Sequence, residues 1–432
     1  MSTLPSLQAF GFDLKRPADL LQLTLLLLVL SVALLTGTWD LGNSRIVMYH
    51  QLVFIAAFAL LQAWRVAWLP LILDNRWILV LTLAWVVSVS VSFYTSPLNL
   101  QFLTVAQFRY AETLVHIFFF LSLYVSNQLS PLLIKKVLTA IVFSNALVVV
   151  HAFLTWHFSP ELNIHTHKMW FSNFPMAGHA RHAGYNMLVA VLAAIGLVIS
   201  SRQRRGALLA TIGLIVVGSC LVWLGGRGSM LSAIIGLLVA GLVFRPKIAP
   251  FKKAAIAGAI VLSVFFAEQS SHFGFNGLGN SVARSVAAED LNRLSSSRLA
   301  IWRDSLEKLD GHWLKGLGSQ AYLLLPDKIA RKTSMPHNVF VQFLLEWGVI
   351  GTLLFSALFA TLLYRIACVS AQSQGQSELG LVFSASAIVV ALSAHGLTDG
   401  TFYHGKASFY LALTAALCFA FTKRQNLAIA DK

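Results

Sequence analysis

The feature that most constrains this chain is a recurrence of apolar runs long enough to cross a bilayer. A helix needs about 20 mostly apolar residues to span the hydrocarbon, and continuous rather than alternating runs predict helices instead of a barrel. The first run is longer than a signal-peptide core, so we expect it to remain as a span. The twelve predicted spans are 20–39, 46–64, 77–95, 109–126, 137–157, 182–200, 207–224, 230–244, 254–268, 340–364, 379–396 and 407–422.

The composition agrees with a membrane protein and excludes two other classes. Hydrophobic residues make up 57% of the 432 residues and charged residues only 11%, against about 25% charged in an ordinary globular domain. This excludes a large water-covered surface, and the high hydrophobicity excludes a disordered chain. A net charge of +15 would suggest nucleic acid in a soluble protein. Here the charges follow the membrane, and no nucleic-acid partner is expected.

The distribution of Lys and Arg predicts the orientation of the spans. With the N-terminus inside, 17 of the 32 Lys and Arg residues fall in inward-facing turns and tails, 6 in short outer turns and 9 in one long outer segment. Cytoplasmic turns carry the basic excess, and long loops are exempt from this rule. We therefore expect both termini in the cytoplasm. The expected organisation is a span region at 1–268, a long outer loop with amphipathic helices at 269–339, and further spans with a cytoplasmic tail at 340–432.

The stretch 295–309 of the outer loop predicts an amphipathic helix on the membrane surface or over the bundle. Ser297 can cap its start. Arg303 has an ordinary partner in Glu307, four residues on. Arg298 has no acidic neighbour at that spacing, so it either snorkels to lipid phosphate or binds a phosphate ligand, which suits its planar fork. The apolar face consists of Leu299, Trp302, Leu306 and Leu309.

The start of the tenth span carries the sharpest candidate for catalysis. Pro336 suits the first turn of a helix and Ser334 can cap it, which would place His337 and Asn338 in the opening turn. The positive end of the helix disfavours imidazolium, so His337 would be neutral, as a general base requires. The alternative is a histidine that anchors the membrane interface. Glu346, deeper in this helix, either has a function or pairs with an arginine.

Other outer turns add three candidates. Arg227 lies between glycines, where free backbone N–H groups allow a ligand to approach closely, although such turns are also commonplace. Arg181 faces the same compartment. Asp399 can orient a base or an arginine, or can belong to an ordinary Asp-Gly turn. His404 follows in the same turn.

The loop 158–181 is rich in histidine but does not predict a metal site. His165 and His167 are two residues apart and cannot share a helix face. They and His179 have only Glu161 as a carboxylate in this loop. The outer side has a single adjacent acidic pair, which disfavours catalysis by a divalent cation. No metal and no cofactor is expected.

Three motifs together resemble the O-antigen ligase and polymerase family of bacterial inner membranes. They are the Gly-Arg-Gly-Ser turn at 226–229, SSSRLAIWRDSLEKLDGHWLKGLGSQAY at 295–322 and PHNVFVQFLLEWGVIG at 336–351. The resemblance covers about 205–355, and the rest of the chain agrees only in span count and hydrophobicity. It implies an all-α polytopic fold similar to GT-C glycosyltransferases, with about twelve transmembrane helices and one long periplasmic loop. Within the family, the chain looks most like the ligase branch.

The resemblance also implies a reaction and its residues. It implies transfer of a finished polysaccharide from undecaprenyl diphosphate to lipid A-core in the outer leaflet of the inner membrane. His337 matches the family's essential histidine, and Arg227 and Arg298 match two of its arginines, although Gly226 stands where the family often has serine. Arg181 matches less closely, because its surroundings depart from the family pattern. We expect catalysis by His337, Arg227 and Arg298, and binding of diphosphate or acceptor by Arg181, Asn338, Arg303 and Asp399.

Three other functions stay open at this point. A polymerase of the same family would use a second lipid-linked glycan as acceptor, and a protein O-oligosaccharyltransferase would use a serine or threonine. A flippase or transporter of lipid-linked glycans belongs to another class. Transporters normally place charges near the midplane between two related halves. Here the basic groups lie at the outer edge and no halves repeat, which disfavours transport.

Overall fold

A computed structural model describes residue 13 and residues 16–34, 41–63, 75–127, 133–159, 166–330, 333–370 and 376–430. Over these ranges the chain is helical and contains no β-strand. We number the helices α1 to α18. They are α1 Pro17–Leu34, α2 Leu41–Leu61, α3 Arg76–Thr95, α4 Pro97–Gln101, α5 Leu103–Asn127, α6 Leu133–Phe158, α7 His167–Ser172, α8 Ala180–Ser200, α9 Arg204–Trp223, α10 Arg227–Phe244, α11 Pro250–Gln269, α12 Gly277–Val286, α13 Leu291–Leu294, α14 Arg298–Glu307, α15 Ala321–Leu324, α16 Val339–Ser370, α17 Gln376–Gly396 and α18 Gly405–Ala430, with a short 3-10 helix at Thr401–Tyr403.

The long helices confirm a multi-pass membrane protein with an all-α fold. In the described ranges, eleven helices are long and apolar enough to cross a membrane, and α18 adds a shorter apolar stretch at Gly405–Cys418. These twelve helices coincide one for one with the twelve predicted spans. Several begin earlier than predicted. Arg181 and Arg227, expected in outer turns, lie in the opening turns of α8 and α10, and Arg109, also expected in an outer turn, lies in the second turn of α5.

Helix α8 forms the centre of the bundle. Every residue from 182 to 200 is buried, and α8 packs against α6, α9 and α17. Small residues allow this close approach, as in other membrane bundles. Gly196, for example, faces Ser384 of α17 so closely that a β-carbon would collide with that side chain. This contact joins the last turns of α8 to the first turns of α17. Since the two helices run antiparallel, the start of α8 lies beside the end of α17.

Helix α16 is interrupted by the long loop at Gly348, where φ is 64° and ψ is −171°. Gly318 of the loop donates its N–H to the main-chain oxygen of Glu346 at 3.2 Å. Val349 donates to the main-chain oxygen of Trp313 at 2.8 Å. In the membrane, backbone groups freed by a break need partners from the protein, and here the inserted loop supplies them.

Helix α14 packs over the start of α16, which agrees with the predicted placement over the bundle. Its buried face differs in part from the predicted apolar face. Ile301 is buried, whereas Leu299 is exposed. Trp302 packs against a cluster that includes Leu345 of α16. Ser297 stands at the N-cap position, but its side chain makes no capping hydrogen bond.

Candidate active site

Five elements converge at one end of the bundle, which we call the loop side because residues 270–330 and 333–338 lie there. Helices α8, α10 and α16 begin at this end and α17 ends at it. Helix α14 begins beside them. The segment between α17 and the 3-10 helix carries Asp399, and this carboxylate is the hub of the arrangement.

Asp399 contacts two of the predicted residues. Its Oδ1 lies 2.8 Å from Nδ1 of His337, and its Oδ2 lies 3.7 Å from a terminal nitrogen of Arg298. Gly400 donates its backbone N–H to the same Oδ1 at 2.8 Å. Burial alone would raise the pKa of Asp399, but the hydrogen bond with His337 and the charge of Arg181 hold that pKa well below its ordinary value. Asp399 is therefore an ionised acceptor at neutral pH.

His337 points one ring nitrogen at this carboxylate and leaves the other for a substrate. An ionised carboxylate accepts only, so the shared proton lies on Nδ1 of His337. Nε2 then carries the free lone pair, and none of the described residues forms a hydrogen bond with it. The side chain is 12% exposed. This orientation suits a general base with a carboxylate behind it.

The predicted helix start around His337 is wrong. Helix α16 begins at Val339, and His337 has a left-handed φ of 56° outside the helix. Asn338 caps the helix, since its Oδ1 accepts the N–H groups of Phe340 and Val341 at 2.9 and 3.1 Å. Pro336 does not lie in the first turn of the helix, and Ser334 does not cap it, contrary to both predictions. The left-handed turn directs the imidazole towards Asp399 instead of along the helix.

Asn338 also ties α16 to the neighbouring helix. Its Nδ2 donates to the main-chain oxygen of Leu397 at 2.9 Å, two residues before Asp399. Both ends of the Asn338 amide therefore have protein partners. The structure places Asn338 beside the cluster but gives it a structural task.

Three guanidinium groups lie in this part of the site, of which Arg298 contacts the carboxylate and Arg181 helps to lower its pKa. Arg298 opens α14, and burial lowers its pKa, which the charges of Arg181 and Arg227 lower further while Asp399 opposes them. A guanidinium stays protonated despite such shifts. Arg227 donates to Oγ of Ser285 at 3.1 Å and to the main-chain oxygen of Leu294 at 3.3 Å. Three positive charges against one carboxylate leave an excess that suits an anionic ligand.

The structure does not join Arg303 to this cluster. Its side chain is 84% exposed, and its Nε donates to Oε1 of Glu307 at 3.0 Å, the partner predicted from the spacing. Glu346, which the sequence left open, lies near an arginine: its Oε2 is 3.9 Å from Nε of Arg109.

A buried histidine that was not singled out from the sequence connects two sides of the site. Nε2 of His395 lies 3.1 Å from Oγ of Ser229, two residues after Arg227. Nδ1 of His395 lies 2.6 Å from Oγ1 of Thr401 in the 3-10 helix. His395 thus joins the start of α10 to the turn that carries Asp399. Its position inside a predicted span was the signal, since ionisable residues there usually have a function.

Other described histidines near this end of the bundle cap a helix or pack against neighbouring rings. His179 caps α8, accepting the N–H of Arg181 at 3.0 Å, and burial lowers the pKa of His179 to about 4. Burial lowers the pKa of His404 to about 3, and its ring lies 4.1 Å from that of His182. His167 packs on aromatic rings, and His165 lies outside the described residues. Among described residues no three His, Cys, Asp or Glu side chains form a group that could hold a metal.

The comparison with known families agrees with this geometry. A sequence profile described as O-antigen ligase matches residues 212–356, roughly a third of the chain. The match includes Arg227, Arg298 and His337, whereas Arg181 and Asp399 come from outside it and join the cluster through the fold. No curated protein sequence matches this chain. Over residues 212–356 the chain is similar to the O-antigen ligase family.

Proposed function

We propose that this protein is an O-antigen ligase of the bacterial inner membrane. It would transfer polysaccharide en bloc from undecaprenyl diphosphate to lipid A-core on the periplasmic face, the last step of lipopolysaccharide assembly. The reaction would be metal-independent and would invert the anomeric centre. The observation that carries the proposal is the single carboxylate of Asp399 between His337 and Arg298, with Arg227 and Arg181 close enough to affect the cluster's charges.

The arginines suit the leaving group. Diphosphate is already a good leaving group, so the protein needs to hold it and stabilise the negative charge that grows as the bond to the sugar breaks. Arginine does this through charge-assisted, often bidentate hydrogen bonds. Arg298 and Arg227 begin α14 and α10, where free backbone N–H groups of the helix ends also favour an anion. We assign diphosphate binding to Arg227, Arg298 and Arg181.

His337 suits the acceptor. Its Nε2 would take the proton of the acceptor hydroxyl as that oxygen bonds to the anomeric carbon. The bond from this carbon to the phosphate oxygen breaks on the opposite side, and undecaprenyl diphosphate leaves with the electron pair. Asp399 accepts the hydrogen bond from Nδ1–H throughout and stabilises the imidazolium that forms. After the transfer, Nε2 of His337 releases its proton to water. Direct displacement of this kind inverts the sugar centre.

An apolar cavity supports a lipid-borne donor over a water-soluble one. It has a volume of about 480 Å³ and lies between α3, α5, α16 and α18. Its walls include Phe343 and Phe402, which lie close in sequence to His337 and Asp399. A hydrocarbon chain of a membrane substrate fits the chemistry of these walls. The excess of Lys and Arg at the opposite ends of the helices supports a periplasmic loop side and cytoplasmic termini.

A reconstituted assay tests the proposal. The purified protein is supplied with labelled undecaprenyl-diphosphate glycan and, in separate reactions, with lipid A-core, a second lipid-linked glycan or a pilin-like protein. Product on lipid A-core alone supports the ligase. Chain growth would identify a polymerase, labelled protein a protein glycosyltransferase, and leaflet exchange without product a transporter. Activity that persists with a chelator supports the metal-independent reaction, and its loss would refute that part.

A further inference from the structure

A buried arginine in α5, Arg109, contacts none of the residues assigned to the transfer chemistry, although it lines the apolar cavity. The Arg109 side chain is only 5% exposed. Its Nη1 donates to Oε2 of Glu112 at 2.8 Å and its Nη2 donates to the main-chain oxygen of Phe402 at 2.9 Å. Its Nε lies 3.9 Å from Oε2 of Glu346. Charged side chains inside membrane helices are costly and usually have a function, so this residue requires an explanation.

The contact with Phe402 reaches the turn that carries Asp399. Phe402 lies in the 3-10 helix Thr401–Tyr403, which begins two residues after Asp399. Tyr403 donates its N–H to the main-chain oxygen of Gly400 at 2.9 Å, and Gly400 donates to Asp399. The Arg109 guanidinium also lies 5.1 Å from the ring centroid of Tyr403. Since this turn is short and internally bonded, a displacement at Phe402 moves the carboxylate.

The contact with Glu346 reaches the helix that follows His337. The main-chain oxygen of Glu346 accepts hydrogen bonds from Ser92 of α3 and from Gly318 of the inserted loop. Its side chain accepts from Gln342, one turn earlier in α16. One guanidinium therefore contacts both the turn after α17 and the first half of α16. The turn carries Asp399, and α16 begins two residues after His337, the other partner of the central hydrogen bond.

Stability alone is a weak reason for this arrangement. Removing charges from water costs free energy that their attraction often fails to offset, so a buried ion pair is poor evidence of a stabilising role. The choice of arginine is specific. A planar fork donates to a carboxylate and to a carbonyl oxygen at the same time in fixed directions, whereas a lysine ammonium is a compact point charge.

We infer that Arg109 is a positioning residue that holds the 399–403 turn against α5 and α16, so that Asp399 meets both His337 and Arg298. This inference rests on the proposed transfer reaction. A misplacement of about 1 Å at a catalytic group can lower a rate by about 100-fold. Arg109 also lines the apolar cavity, and a lysine keeps an aliphatic stem there, so we expect the larger loss in kcat and only a small change in donor KM.

Arg109→Lys is the first test, because it keeps the charge facing Glu112 and Glu346 and removes the fork. In the reconstituted transfer assay we expect kcat to fall by about 10- to 100-fold and donor KM to stay within about twofold. Arg45→Lys is the matched control: Arg45 is an exposed arginine of α2 that lies over the ring of Phe108. We expect this control to keep wild-type kcat.

A double-mutant cycle separates positioning from general damage. If Arg109 acts through Asp399, adding Arg109→Lys to Asp399→Asn lowers kcat by less than about twofold further. Independent, multiplying losses in the cycle would overturn the inference, as would full activity of Arg109→Lys alone. If Arg109→Lys does not fold, the near-isosteric Glu112→Gln weakens the hold on the same guanidinium and enters the same cycle. A wild-type protein without transfer would instead refute the proposed function.

Discussion

Two charged clusters in this protein use arginine in opposite ways. The outer cluster consists of Arg181, Arg227, Arg298, His337 and Asp399 at the loop side. The buried cluster consists of Arg109, Glu112 and Glu346 inside the bundle. The outer cluster has three guanidinium groups and one carboxylate, which pairs with Arg298, and Arg181 is exposed. In the buried cluster one guanidinium faces two carboxylates and a carbonyl oxygen.

The difference indicates which cluster binds a ligand. A guanidinium whose two terminal nitrogens both donate to protein acceptors, as in Arg109, is fixed in place and holds its neighbours. A group of guanidiniums with too few protein anions retains capacity for an anion from outside. The imbalance of charge, and not the presence of arginine, therefore marks the site. Substitutions in the outer cluster are expected to affect chemistry and binding, and those in the buried cluster to act only through geometry.

The largest effect is expected at the base. His337→Ala removes the proposed general base, and general bases contribute about 100- to 10,000-fold to a rate. We expect transfer to fall by that factor in a reconstituted, chelator-treated assay, with a folded protein by size-exclusion chromatography. Full activity of this variant would remove the base assignment.

The next largest effect is expected at the arginines. Arg298→Ala or Arg227→Ala removes a donor that stabilises the leaving diphosphate, which costs about 100- to 1000-fold in kcat. Lys308→Ala is the matched control, because it removes a positive charge that pairs with Asp304 on α14, 3.7 Å away. Equal losses in Arg298→Ala and Lys308→Ala would mean that net charge, and not position, matters.

The sequence predicted the spans better than the site, for a physical reason. Crossing a bilayer depends on the length and apolarity of a single segment, which can be read locally. The interruption at Gly348 depends on a loop segment about thirty residues earlier that satisfies its backbone. The pairing of Arg298 with Asp399 joins residues about a hundred positions apart, so the sequence showed Arg298 only as an arginine without a local partner.

Motif resemblance placed His337, Arg227 and Arg298 on the candidate list, and the fold brings His337 and Arg298 onto one carboxylate. The conformation of His337 was predicted wrongly because a proline before a helix normally marks its first turn. Here Asn338 caps the helix instead, and a left-handed residue precedes it. The left-handed conformation of His337 accompanies its contact with Asp399, which lies 62 positions away. A prediction from local sequence cannot take such a contact into account.

A smaller effect is expected on stability as the pH falls. Burial lowers the pKa of His404 to about 3 from an ordinary value of 6.5. Below pH 6.5 the unfolded chain takes up a proton that the folded chain refuses, so unfolding becomes easier down to the folded pKa. We expect the free energy of unfolding to fall between pH 6.5 and pH 4, by up to about 1.4 kcal/mol per pH unit for this histidine. The melting temperature in detergent, measured across this range, should fall with it. His404→Gln is expected to flatten the slope, and an unchanged slope would contradict the buried, neutral state.

The smallest effect is expected at Arg303, the predicted binding residue that lies apart from the outer cluster. Its exposed guanidinium can reach only a part of the substrate that projects from the site, so it would bind the ground state and the transition state equally. We expect Arg303→Ala to raise donor KM by about threefold with kcat unchanged. Glu307→Ala is the control, because it removes the carboxylate that pairs with Arg303 and leaves the guanidinium in place. We expect its donor KM to equal or fall below that of the wild type. A fall in kcat for Arg303→Ala would place Arg303 among the groups that contact the reacting centre. The contrast between the outer cluster and the buried cluster would then not account for every functional arginine.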